Sequence, residues 1–166
     1  MSLNANSISA EQVESSSKTI LAEWLSRWFT GQSQVLSGKE IQFPLAEVEF
    51  DQGPSQSPPS SKTLIRVRAV SLWDESMDSE QGRVKHDHVR MIFVAKASGE
   101  KARERSQKVG ELLHWLLNNP SATVDLAEKG IFDIDPMKAE PLASTDHYQY
   151  MVQAKMCLQY EVVFRT

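Results

Sequence analysis

The chain has 166 residues, with 18 lysines and arginines against 22 aspartates and glutamates, so its formal net charge is −4. Its 40% hydrophobic and 24% charged content is typical of a globular protein, and we expect one domain over residues 1–166, with residues 1–8 disordered. The acidic balance argues against direct nucleic-acid binding. Cys157 is the single cysteine, which excludes an internal disulfide and a cysteine-based zinc site.

The apolar runs are too short to cross a membrane, because a transmembrane helix needs about 20 consecutive apolar residues. The segment from Met1 to Asn6 also lacks the basic and then apolar pattern of a secretion signal. We therefore expect a protein without membrane contact that is made in a cytoplasm.

The first predicted helix begins at residues 9–12 (SAEQ), which match a capping box. From Ile20 to Phe29 the apolar side chains follow one stripe at helical spacing. Gly31 is expected to end the helix. Because the stripe is regular, we interpret Trp24 and Trp28 as core residues or as part of a subunit interface.

Two short strand segments follow, at Ile41 to Pro44 and at Glu47 to Phe50. Pro44 indicates a sheet edge or a bulge. Residues 51–62 (DQGPSQSPPSSK) form a loop rich in Pro, Ser and Gly. A loop of this length is either functional or a solvated connector, and the connector is the simpler interpretation.

Two longer strands joined by an acidic turn come next. From Thr63 to Trp73 apolar residues alternate with Arg66 and Arg68, which predicts a strand with one basic face. Arg83 to Ala95 forms the second strand, and the polar segment between the two predicts a hairpin. The carboxylates of the turn are Asp74, Glu75, Asp78 and Glu80.

A second helix is predicted from Glu100 to Asn118 and ends before Pro120. Its first half, residues 101–108, is basic and amphipathic. That half could contact phosphate or an acidic protein, but a solvated face with internal Glu–Arg pairs is the simpler interpretation.

A short helix is predicted from Val124 to Lys129, closed by Gly130. A strand then starts at residues 131–134, and residues 136–146 are predicted to form a loop.

The final segment, Tyr148 to Phe164, alternates apolar and polar residues almost without error and contains neither Gly nor Pro. This pattern predicts one strand with a single buried face and a length of roughly 55 Å. Strands usually have about 5–6 residues, so we expect this one to bend around the domain or to extend beyond it.

The one pattern that suggests chemistry is His86-Asp87-His88. On a strand, the two histidines would project from one face about 7 Å apart, a spacing that metal sites use. A metal needs further ligands, and His114 and His147 stand in no recognisable ligand spacing. His86 and His88 are therefore weak metal candidates, and two exposed histidines on a sheet face are the better interpretation.

No known catalytic motif is found in the sequence. It contains no nucleophile elbow, no phosphate-binding loop and no dinucleotide-binding glycine pattern. The carboxylates of the acidic turn are expected to stay solvated, which does not suit acid–base catalysis. We therefore expect no catalytic residue, no cofactor and no enzymatic activity.

The predicted fold is α+β: a mixed, mainly antiparallel sheet covered on one face by two amphipathic helices, with a long C-terminal strand. This order of elements resembles the tail-terminator family of long-tailed bacteriophages, the lambda-type minor tail proteins that cap the tail tube. The resemblance rests on an opening helix, a strand pair, a packed helix and a final strand, at residues 20–29, 63–95, 101–117 and 148–164.

The resemblance implies a structural protein of the virion tail, assembled in the host bacterial cytoplasm. Its partners would be other copies of itself in a ring, typically a hexamer, together with the tail tube protein and a head-completion protein. The long strand could then pair with the edge of a neighbour. Arg66 and Arg68 on one side, and the acidic turn from Asp74 to Glu80 on the other, would be candidates for complementary contacts.

Two other classes stay open from the sequence. The chain could be another tube or connector component of a phage or of a contractile secretion-type assembly. It could also be a small α+β domain in which Trp24, Trp28 and Trp115 line a pocket for an apolar ligand.

Overall fold

The computed structural model describes residues 4–5, 10–50, 58, 61–71, 77–78, 84–142 and 147–162. These residues form an α+β fold of three helices and two sheets, and the predicted fold class is confirmed. The elements in chain order are β1 (Asn4–Ala5), α1 (Ala10–Trp28), β2 (Ser33–Leu36), β3 (Lys39–Gln42), β4 (Glu47–Phe50), β5 (Thr63–Ser71), β6 (Met77–Asp78), β7 (Val84–Ala97), α2 (Ala102–Leu117), α3 (Pro120–Glu128), β8 (Ile131–Leu142) and β9 (Tyr148–Val162).

The main sheet has the strand order β4–β5–β7–β9–β8. The short strand β6 pairs with β7 on the same side as β5, beyond the end of β5. In the same way, β1 pairs with β9 on the same side as β8, beyond the end of β8. The pairs β4–β5 and β1–β9 are parallel, and the other pairs are antiparallel. Strands β2 and β3 form a separate hairpin.

The predicted hairpin of two long strands is confirmed, because β5 and β7 pair antiparallel from Thr63 opposite Ala97 to Ser71 opposite Val89. The predicted final strand is also confirmed over the described residues. It runs without interruption from Tyr148 to Val162, and residues 163–164 of the prediction lie outside the described range.

The final strand is not at an edge of the sheet. Strand β9 pairs with β7 over fourteen residues on one side, and with β8 and β1 on the other. The expectation that this strand could pair with a neighbouring subunit is therefore wrong, since both of its edges bond within the chain. The outermost strands are β4 and β8.

The alternation of side chains determines which face of the sheet the helices cover. Odd-numbered residues of β5 and β7 and even-numbered residues of β9 point to the helices and form one core with them. At its centre lie Val67, Phe93 and Val152, cross-strand neighbours that are all buried. Burying such side chains contributes about 1.5–3 kcal/mol each.

The prediction for residues 136–146 is wrong, because β8 continues through Pro136 and Pro141 to Leu142. Both prolines lie opposite residues of β9 in an outermost strand, where a missing N–H donor is tolerated. The register shifts near Phe132 and again near Pro136, and Asp133 has a φ of 51°. Strand β8 therefore stays paired with β9 along its length, but its register is interrupted at two irregularities.

Three helices are present among the described residues, where the sequence predicted two helices on the sheet and a short third segment. Pro120 ends α2 as expected, but it also begins α3, which starts four residues before the predicted Val124. Proline is favoured at the first helical position because its missing N–H has no partner there. Asn119 caps the helix, and its side chain accepts a hydrogen bond from the N–H of Ser121 at 3.0 Å.

Some N-terminal predictions cannot be placed. Of residues 1–8, expected to be disordered, Asn4 and Ala5 pair with β9, and the other six lie outside the described residues. The capping residue Ser9 also lies outside them. Helix α1 ends at Trp28, and Gly31 then adopts a φ of +82°, as a helix-ending glycine commonly does.

Helix α2 lies very close to β9 at Gly110. A Cβ atom added there would lie 2.7 Å from Cγ of Tyr150, a distance that real Cβ atoms do not show. The glycine therefore allows the helix to approach the aromatic ring.

We expect Gly110→Ala to destabilise the protein by about 1–3 kcal/mol, because the new methyl group overlaps the Tyr150 ring. This loss outweighs the gain of about 1 kcal/mol in helix propensity. Urea unfolding of the variant measures the difference. Lys108→Ala, at an exposed position of the same helix, is the control and should change stability by less than about 0.5 kcal/mol. A Gly110→Ala variant as stable as the wild type would contradict this packing.

Candidate functional site

The sheet face opposite the helices is the candidate site. Even-numbered residues of β5 and β7 and odd-numbered residues of β9 point to this face, and no described helix packs on it. On these three central strands the described side chains of the face include no carboxylate. They are Leu64, Arg66, Arg68, Val70, His86, His88, Arg90, Ile92, Val94, Lys96, Gln149, Met151, Gln153, Lys155, Cys157 and Gln159.

Four of these residues, Arg66, Arg68, Arg90 and Lys155, form what we call the central basic strip. Arg90 and Lys155 are direct cross-strand partners. Arg68 lies opposite Ile92, two residues from Arg90 on the same face. The four positive charges are therefore contiguous across three strands.

Among the described side chains of this face, carboxylates flank the strip on the outermost strands. Glu47 and Glu49 lie on β4, opposite Leu64 and Arg66. On the other side, Asp135 and Glu140 lie on β8, opposite Lys155 and Met151. Three of these carboxylates are ion-paired with lysines: Glu47 with Lys62, Glu49 with Lys96 and Glu140 with Lys138. The face is thus positive in the middle and carries both signs of charge along its borders.

The prediction that Arg66 and Arg68 lie on one face of their strand is confirmed. Arg68 is exposed and Arg66 is half-buried, and each also takes part in an interaction within the chain. The predicted acidic partners are mostly outside the described residues: Asp74, Glu75 and Glu80 cannot be placed, and only the backbone of Asp78 is described, beside Lys85. Whether the two charged groups meet stays a prediction.

Arg90 and Lys155 were not singled out in the sequence, although they belong to the site. The alternation of their strands already indicated that each points away from the helices. Their juxtaposition depends on the pairing of β7 with β9, which joins residues 65 positions apart in the chain. No local sequence pattern encodes the register between two strands so far apart in the chain.

The weak metal candidates His86 and His88 share the helix-free face. The ring of His86 packs edge-on against Phe132, with ring centroids 6.0 Å apart. Among the residues that the structure describes, no group of three His, Cys, Asp or Glu side chains could hold a metal ion. The described residues therefore give this pair no further ligand.

Cys157 lies opposite His88 on the same face but is buried. Burial raises the pKa of its thiol from 9.0 to about 11, and the charges of Asp133 and Asp87 add to the increase. A thiol with so high a pKa is protonated at neutral pH and is a poor nucleophile.

Lys96 ties the edge strand β4 to the centre of the sheet. It is 1% exposed, and its Nζ lies 2.6 Å from Oε2 of Glu49. That oxygen makes no well-aligned hydrogen bond, so the contact is an ion pair. Two residues away, Glu47 lies 3.3 Å from Lys62 on the exposed surface.

The two outermost strands differ as templates for another chain. Strand β8 carries Pro136 and Pro141 and two register shifts, which are features that protect an edge from pairing. Strand β4 has four residues and pairs only with β5 among the described strands. It is short, and its glutamates are charged.

Trp24, Trp28 and Trp115 line none of the four cavities that are described by their lining residues. Trp24 is fully buried and donates a hydrogen bond from Nε1 to the carbonyl of Ala122 at 2.8 Å, whereas Trp115 is 36% exposed on α2. Trp28 packs on Phe43, with ring centroids 5.4 Å apart. Surface cavities of about 320 and 350 Å³ lie beside α3 and beside β4, and no tryptophan lines either.

Comparison with protein-family models and with curated proteins finds no match for this chain. In the described part of the chain, no helix is both long enough and apolar enough to span a membrane.

We expect Glu49→Gln to destabilise the protein by about 1–3 kcal/mol, because it removes the negative charge that lies 2.6 Å from the buried ammonium of Lys96. The matched control is Glu47→Gln on the same strand and face. Its ion pair is exposed on both sides, so the loss should stay below about 1 kcal/mol. Chemical unfolding measures both variants, and equal losses would show that burial of Lys96 does not matter.

We expect the Cys157 thiol of the folded protein to react slowly with iodoacetamide at pH 8 and faster as the pH approaches 11. The same protein unfolded in urea should react quickly at pH 8 and serves as the control. Because the folded state holds this proton more tightly, its contribution to stability is present below pH 9 and is lost as the pH rises through about 11. Equal rates at pH 8 for folded and unfolded protein would contradict the raised pKa.

Proposed function

We propose that this chain is a structural phage tail protein that assembles into a ring, ends the tail tube and joins it to the head. The observation that carries the proposal is the helix-free sheet face with its central basic strip. Arginine and apolar residues such as Ile92, Val94 and Met151 are interspersed on that face. Such a mixture is found at protein–protein interfaces, where arginine and methionine are enriched.

The order of elements supports the same proposal. The opening helix, the antiparallel pair, the packed helix and the long final strand of the tail-terminator resemblance all occur in the fold. Many α+β domains share such an order, so the order agrees with the tail-terminator family and does not by itself distinguish that family from other α+β proteins.

The proposed partners are other copies of the chain in a ring, the tail tube protein and a head-completion protein. The ring would be a hexamer by the resemblance, in the virion tail after assembly in the bacterial cytoplasm. Another tube or connector component of a phage or secretion-type assembly would use the same kind of surface. The apolar-ligand alternative has less support, because Trp24 fills the core and does not line a cavity.

The test is co-assembly with a tail tube protein encoded in the same genome. We expect tubes polymerised with the purified chain to be shorter and to carry a ring at one end in negatively stained electron micrographs. The physical reason is that a capping ring removes the tube end as a template for further subunits. A protein of similar size and charge is the control and should leave tube length unchanged.

Sedimentation of the chain alone and with tubes completes the experiment. A chain that neither associates with itself nor sediments with tubes would contradict the proposal. Binding along the tube wall without a terminal ring would favour another tube component over a terminator.

A further inference from the structure

We infer that the cavity between α3 and β8, which we call the α3–β8 cavity, binds a small primary amine with an apolar body. Its volume is about 320 Å³, at the lower end of the roughly 300–1,000 Å³ that small-molecule sites occupy. None of its described lining residues belongs to the central basic strip. Binding in this cavity is therefore independent of the proposed assembly role.

The walls of the cavity are mainly apolar. Seven of its ten described lining residues have apolar side chains, and Val124, Ile131 and Ile134 are among them. Ile131 is fully buried, whereas Val124 is 56% exposed on α3. A ligand with an apolar body would remove the surface of Val124 from water, which is favourable.

Asp133 supplies the only charge among the described lining residues. It is exposed, and none of the ion pairs in the described part of the chain includes it. It has a φ of 51° and lies within the register shift between Phe132 and Asp135, and such bulges re-aim side chains. Glycine or asparagine would adopt the same backbone conformation, so the backbone alone does not require a carboxylate here. A negative charge beside an apolar cavity favours a cationic ligand.

The two neutral polar side chains of the lining offer hydrogen-bond acceptors. Thr123 donates its hydroxyl proton to the carbonyl of Asn119 at 3.3 Å, so its oxygen can only accept further bonds. Asn118 donates from Nδ2 to the carbonyl of His114 at 3.0 Å, and its Oδ1 is an acceptor. Together with the carboxylate of Asp133, three lining side chains thus present acceptor oxygens. A primary ammonium has three N–H donors and no acceptor, which matches this set.

The helix ends beside the cavity do not decide its charge. Helix α2 ends at Leu117 and α3 begins at Pro120, and both residues line the cavity. The negative C-terminal end of one helix therefore lies beside the positive N-terminal end of the next, and the two effects oppose each other. The carboxylate of Asp133 is then the source of the negative potential.

Other ligands fit the cavity less well. Ca²⁺ and Mg²⁺ take about six or more oxygen ligands, whereas no group of three His, Cys, Asp or Glu among the described residues could hold a metal ion. A carboxylate or phosphate would meet the charge of Asp133 and no basic side chain among the described lining residues. An organic cation satisfies both the apolar walls and the acceptor oxygens.

Titration of the isotope-labelled full chain with hexylammonium chloride, followed by NMR spectroscopy, tests the site. We expect saturable shifts of the backbone amides of residues 117–134. Hexanoate, which has a chain of similar length and the opposite charge, is the control ligand. The dissociation constant for hexylammonium should be at least about tenfold lower than that for hexanoate, because the carboxylate of Asp133 attracts one and repels the other.

Two variants test the two parts of the cavity. Asp133→Asn removes the charge and keeps a residue that tolerates the left-handed conformation, and it should weaken hexylammonium binding at least about threefold. Asp135→Asn is the matched control, since Asp135 is exposed on the same strand and does not line the cavity, and it should bind as the wild type does. Val124→Ser, at an exposed helix position, should weaken binding at least about twofold through lost apolar contact. Circular dichroism checks folding, and Val124→Ser keeps the test available if Asp133→Asn is poorly folded.

Each other outcome overturns the inference. A lack of saturable shifts near α3 and β8 would show that the cavity does not bind the amine, and equal affinity for hexanoate would show that it does not select a cation. Equal weakening by Asp135→Asn would show an effect of net charge alone. Tighter binding of a short peptide with a central lysine than of hexylammonium would assign the cavity to a partner protein instead. None of these results bears on tube co-assembly, which tests the proposed function separately.

Discussion

The pairing of β7 with β9 is the constraint on which the rest of the structure depends. Fourteen residue pairs join the two strands in one unbroken antiparallel register, from Val84 opposite Glu161 to Ala97 opposite Tyr148. The longer strands of the main sheet lie on either side of this pair, with β5 and then β4 beside β7, and β8 beside β9. A slip of one residue would turn every side chain of β9 to the opposite face, so burial of one face fixes the register strongly.

The register gives the two faces different roles. On the helix side, Tyr150 meets Gly110 and allows α2 to lie close against the sheet. On the other side, the same register sets Arg90 opposite Lys155, a like-charge pair, and β8 sets Asp135 opposite Lys155 from its other side. The energy of the buried face is large compared with the cost of a like-charge pair of about 0.2–1 kcal/mol. The stable core therefore allows a charged surface that would be unfavourable in an isolated hairpin.

Much of the fold was predictable because its signals are local. The helical stripe around Trp24, the hairpin of β5 and β7 and the final alternating strand all follow from periods of 3.6 and 2 in the sequence. The strand through Pro136 and Pro141 was not predictable, because prolines in a strand are acceptable only at an edge and the edge is set by the neighbours. The same holds for the candidate site, of which Arg66 and Arg68 were found and Arg90 was not.

The sequence by itself determined the class of fold, the two faces of each long strand and the absence of a known catalytic motif. These properties depend on residues near one another in the chain. Only the tertiary structure decided that β9 is central and has no free edge, and that Arg90 and Lys155 meet across it. The physical reason is that strand order and register come from pairing between distant segments, whose energy lies in contacts that no local pattern encodes.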